Sequence, residues 1–67
     1  MRDNLKIFRI RKHLTQAEMA EKIGYSRSCY QSIENGTNAG RDCFWRDLQA
    51  AFGIPDSEMW NLKRNDL

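Results

Sequence analysis

At 67 residues the chain is one domain at most, and a chain of that size buries only about 60% of the surface it exposes unfolded, which excludes a sizeable active-site cleft. Apolar residues make up 40% and charged residues 30%, enough for a small core, while the longest run of apolar side chains is three, which excludes a membrane span. The net charge of +2 divides unevenly: residues 1–41 hold eight Lys and Arg against four Asp and Glu, and residues 42–67 hold three against five, so a basic front could face a polyanion while an acidic back faces elsewhere.

Valine is absent and threonine occurs only at Thr15 and Thr37, whereas Leu, Ala, Met, Glu, Gln, Lys and Arg fill the periodic stretches, so the expected class is all-α. The first helix is expected to begin at Asp3 or Asn4, either a suitable N-cap, and to run through Leu5, Phe8 and Lys12 to His13, with Ile7 and Ile10 as a second apolar ridge. His13 stands where a glycine would end the last turn, a left-handed position that histidine takes at some cost. Thr15 with Glu18 spells a capping box, and Leu14 and Met19 occupy the staple positions, so a second helix starts at Gln16 and turns its Met19, Ala20 and Ile23 inward up to Gly24.

Ser26 is the next cap. The connection from Gly24 to Ser26 is so short that the helices on either side must cross steeply. The third helix is expected over residues 27 to about 35, ended by Gly36, with Tyr30 and Ile33 together on one side. Ser28, Gln31, Ser32 and Asn35 share the other side, polar but almost uncharged, and short hydrogen-bonding side chains of that kind suit close-range reading better than solvation. A fourth helix is expected from about Arg41 to Phe52, ended by Gly53. After Ile54 and Pro55, Asp56 or Ser57 can cap a short last helix bearing Met59, Trp60 and Leu62, frayed from Asn61 onward.

Two short helices, a tight turn at Gly24 and a small residue, Ala20, where the axes cross describe a helix-turn-helix. Through Leu14-Thr15-Gln16-Ala17-Glu18-Met19-Ala20, Ile23-Gly24, Ser26 and Ile33-Glu34-Asn35-Gly36, the chain resembles the lambda-repressor-like (Xre/Cro) DNA-binding family over about residues 5 to 62. The resemblance implies a compact five-helix domain, usually dimeric, whose third helix enters the major groove of a near-palindromic operator. It implies that Gln16 bonds a phosphate, that Arg27, Ser28 and Ser32 contact bases with Gln31 at the outer edge, and that Asn35, Thr37, Asn38 and Arg41 meet phosphates beyond the reading helix. Arg27 can grip guanine O6 and N7 together, or a phosphate instead. Arg9 and Glu34 match a structural ion pair. His13, Tyr30 and Gly40 depart from the family pattern, which leaves Tyr30 either as a large core residue or with its hydroxyl toward the DNA backbone.

Met59, Trp60, Leu62 and Leu67 exceed what a short final helix needs for docking, so they serve either a homodimer face or the core. The function expected is a sequence-specific DNA-binding transcriptional regulator, a repressor of phage or mobile-element type acting as a homodimer on double-stranded DNA. The rival, supported by the low net charge and the acidic, aromatic-rich end, is a protein-binding module such as an antitoxin or adaptor. An enzyme is not expected: His13, Cys29 and Cys43 are too scattered for a triad, and neither a phosphate-cradling glycine loop nor a spaced carboxylate pair is present. The same three residues fall short of a four-ligand zinc site, so no metal and no cofactor are expected, and the absence of a secretory segment points to a reduced, cytoplasmic setting.

Overall fold

The computed structural model describes residues 1–64, and Leu67 lies outside them. Its helices are α1 (Asp3–Arg11), α2 (Gln16–Ile23), α3 (Arg27–Asn35), α4 (Asp42–Phe52) and α5 (Asp56–Lys63), with no strand among the described residues. The second and third helices fall where the periodicity puts them, and the all-α expectation holds.

Helix ends show why. At α2 the Thr15 hydroxyl accepts from the Glu18 amide at 3.1 Å while the Glu18 carboxylate accepts from the Thr15 amide at 2.9 Å, closing the capping box. Those bonds hold the Glu18 carboxyl below its ordinary range. His13 takes the left-handed conformation at φ 59°, as its place at the end of α1 demands.

Four boundaries differ from expectation, the first being that α1 ends at Arg11, short of Lys12 and His13, which form the turn after it. Neither Asp3 nor Asn4 caps α1. Arg2 stands at that position, its amide donating to Glu34 O at 2.9 Å, and the Asn4 amide group is drawn to Asn61 O instead. The Asp56 carboxylate is taken by Gln49, so α5 starts behind Pro55 with no side-chain cap. Nor does α5 fray at Asn61: Leu62 is buried, and Lys63 O accepts from the Arg2 side chain at 3.1 Å, so burial and a tertiary bond hold the last turn.

The core gathers Leu5, Met19, Ile23, Tyr30, Ile33, Phe44, Leu48 and Leu62, with Phe44 edge-on to both Tyr25 and Trp45. α2 and α1 pack against α3, α4 packs against α2, and α1 pairs with α5. Ile7 and Ile10, the second ridge of α1, stay exposed. Thr15→Ala is expected to cost about 1 kcal/mol, read as a lower urea midpoint with unchanged slope; a changed slope would mean that the cap shapes more than α2.

Candidate nucleic-acid interface

The presentation of α3 begins at the turn before it. Gly24 ends α2 in the left-handed region at φ 79°, Tyr25 N donates back to Ala20 O at 2.9 Å, and Ala20 is buried where the two helices meet. Ser26 then opens α3, its hydroxyl accepting from the Cys29 amide at 3.2 Å. Tyr30, Ile33 and Glu34 face inward as a result. Arg27, Ser28, Gln31 and Asn35 face outward and exposed, and no hydrogen bond or ion pair to another described residue engages their side chains.

Ser32 behaves differently from its neighbours on that face. It is half-buried, its hydroxyl donates to Cys29 O at 2.8 Å and accepts from Asn38 Nδ2 at 3.3 Å, and its carbonyl takes the Thr37 and Asn38 amides. Ser32 thus ties the following loop to α3. Thr37, Asn38 and Arg41 lie exposed along that loop, Asn38 also receiving the Gly40 amide at 2.9 Å. Gly40 has φ 78°, and a Cβ there would sit 2.8 Å from Trp45 Nε1, so the close approach of the loop to Trp45 requires glycine where the family often has proline.

Beneath α3 lies the ion pair. Arg9 Nε donates to Glu34 Oε2 at 3.0 Å and Nη2 to Oε1 at 3.3 Å, while Arg9 Nη1 donates to Leu14 O at 2.7 Å. Gln16, expected at a phosphate, turns its Nε2 to Glu34 Oε1 at 3.2 Å and so joins α2 to the same carboxylate. Burial would push the Glu34 carboxyl up, but the Arg9 guanidinium, the adjacent Tyr30 hydroxyl and the Gln16 amide outweigh it and hold the group below its ordinary range. The same pairing raises Arg9. Tyr30 is wholly buried, so its hydroxyl cannot reach a DNA backbone; that oxygen lacks a hydrogen bond of ordinary geometry, and burial followed by the nearby Glu34 pushes its pKa up.

Sequence reasoning missed Arg2. Only 5% exposed, it donates from Nη1 to Ile33 O at 2.6 Å and to Asn38 O at 2.8 Å, from Nη2 to Ala39 O at 3.2 Å and from Nε to Lys63 O, with its guanidinium 5.4 Å from the centre of the Trp45 ring. Carbonyls at the negative ends of α3 and α5 replace the carboxylate that a buried arginine usually requires. Burial lowers its pKa, yet a guanidinium starts so high that it stays charged. A single arginine near a chain start reads as a solvated charge, and no spacing rule would have found it.

The residues expected at a dimer face divide. Met59 and Leu62 are buried in the chain's own core, whereas Trp60 is 78% exposed beside an open groove of about 440 Å³ between α4 and α5, rimmed by Asp42, Arg46, Asp56 and Lys63. Among the described residues no group of three or more His, Cys, Asp or Glu is placed to hold a metal ion, and no helix is long and apolar enough to cross a membrane.

Glu34 carries the pH dependence of this scaffold. Its folded pKa lies below the unfolded value of about 4.3, so its contribution is complete above that pH and is lost as pH falls through the folded pKa. Arg9→Met is expected to cost about 3–5 kcal/mol near neutral pH by stranding the carboxylate. It should also flatten the acid dependence, measured by urea unfolding across a pH series; an equally steep dependence in the variant would assign the effect to other carboxylates.

A family model described as helix-turn-helix matches residues 5–40, from within α1 to the loop beyond α3, a shorter span than the resemblance suggested. No curated protein and no solved structure matches the chain. The matched stretch is more than half of the chain and holds the turn, α3 and the ion pair just described; the chain belongs to the Xre/lambda-repressor-like helix-turn-helix family of DNA-binding regulators.

Proposed function

We propose that the protein is a sequence-specific repressor of phage or mobile-element type that binds a near-palindromic operator as a homodimer, with α3 in the major groove. The observation that carries this reading is the outer face of α3, where Arg27, Ser28, Gln31 and Asn35 stand exposed with no bond to another described residue. Side chains left without partners on a rigid, capped helix are available to base edges at no cost in broken internal bonds. Arg27 and Gln31 carry the longest reach and so most of the discrimination. Ser32, with its hydroxyl committed to Cys29 and Asn38, serves chiefly to set the loop.

Thr37, Asn38 and Arg41 would lie along the phosphates, as would Asn35 at the end of α3. Gln16 would present its carbonyl oxygen and the first-turn amides of α2 to the backbone while its Nε2 stays on Glu34. Two-fold pairing through Trp60 would place half-sites about 34 Å apart, one helical turn. The α4–α5 groove suits this, because its rim carries two acids and two bases that a two-fold related copy can match. Trp60 also favours a second reading, a protein-binding module such as an antitoxin, in which another protein occupies the same groove.

Selection from a random duplex pool is expected to return a symmetric motif, and Arg27→Ala to relax one base pair per half-site by about 1–3 kcal/mol. Uniform weakening on all sequences would move Arg27 to the backbone, and an asymmetric motif would remove the two-fold operator. Affinity should fall steeply and log-linearly with salt. In sedimentation the wild type should dimerise with rising concentration or on DNA, and Trp60→Ser should not. A wild type that stays monomeric in both settings removes the homodimer.

A further inference from the structure

Two thiols lie beside the reading face and have no part in the function proposed above. Cys29, in the first turn of α3, is half-buried, and Cys43, in the first turn of α4, is exposed; both are free. Far apart in sequence, they line one cavity of about 330 Å³ together with Tyr25, Asn38, Arg41 and Phe44. The Tyr25 hydroxyl lies 3.5 Å from Cys43 Sγ and donates to Asp47 Oδ2 at 2.9 Å, which fixes the outer sulfur relative to the cavity wall. A reagent from solvent meets Cys43 first, and Cys29 is the inner thiol. Arg41 offers a cation to any carboxylate that the reagent carries, and Asn38 and Arg41 belong to the segment assigned above to phosphates.

We infer that Cys29 and Cys43 form a thiol pair that exchanges with the disulfide of a small anionic thiol, and that closing the pair withdraws the protein from DNA. The second half rests on the DNA-binding reading. The Cys43 thiolate attacks one sulfur of the small disulfide; that S–S bond breaks, a Cys43–S–S–R bond forms, and the departing thiolate takes up the proton that Cys43 released. The Cys29 thiolate then attacks Cys43 Sγ and expels the second small thiolate, which takes up the Cys29 proton. Two protein thiols are oxidised to one disulfide, and one small disulfide is reduced to two thiols. The bond draws the first turn of α4 toward the first turn of α3, and so displaces the loop carrying Asn38 and Arg41 from the position in which Arg2 and Ser32 hold it.

The test treats the full chain with oxidised glutathione, reading chemistry by mass and its consequence by anisotropy on a selected duplex. The wild type is expected to lose two hydrogens without retaining glutathione and to bind DNA at least about tenfold more weakly, both reversed by dithiothreitol. Cys29→Ser should stop at one glutathione on Cys43, and Cys43→Ser should form no internal bond and keep its affinity. Glutathione retained by the wild type, a bond between two chains, or an unreactive Cys43 overturns the pair, and closure with undiminished affinity overturns the switch. If the reduced protein binds no duplex from a random pool, the DNA-binding reading fails by itself, while the mass measurements still decide on the thiol pair.

Discussion

A buried carboxylate persists only where donors replace the water it gives up, and Glu34 draws them from two other helices. Arg9 of α1 supplies a fork of two N–H groups and Gln16 of α2 supplies an amide. Glu34 belongs to α3, so one ionised group ties together α1, α2 and α3, the three helices within the stretch that the family model matches. Its own carbonyl accepts the Arg2 amide, which brings the chain start to the same place. Breaking either side of the pair leaves a charge among apolar neighbours, a cost that a domain with about 5–15 kcal/mol of total stability can hardly absorb.

Arg2 extends that scaffold from the C-terminal end of α3 into the loop beyond it and across to α5. By holding carbonyls at the end of α3, in the loop beyond it and at the end of α5, it joins three segments that would otherwise meet only through apolar contact. The loop between α3 and α4 is thereby gripped from two sides, by Arg2 below and by Ser32 along the helix. If that loop meets phosphates as proposed, it gains from this, because ordering already completed in the free protein does not have to be supplied on binding.

The outward face of α3 shows the complementary arrangement. Four side chains there are left without internal partners, whereas Ser32, one helical turn from Ser28, is tied down on both sides of its hydroxyl. Periodicity alone grouped Ser32 with Ser28 and Gln31, since it reports angle about the axis and not the loop that folds back over one end. The bond from Gln16 Nε2 to Glu34 was out of its reach for the same reason: a glutamine at the first position of a helix reads as outward-facing until a carboxylate from another helix is seen beneath it.

Local chemistry was enough to place α2 and α3, because a capping box, a serine cap and a left-handed glycine each act within a few residues along the chain. Side-chain spacing was likewise enough to split α3 into an inner and an outer face. The starts of α1 and α5, the persistence of α5 to Lys63, the role of Arg2 and the burial of Met59 and Leu62 beside an exposed Trp60 were beyond it. Each of those depends on a partner distant in the chain, Glu34 for Arg2, Asn61 for Asn4 and Gln49 for Asp56, and which distant groups meet is decided only when the helices pack.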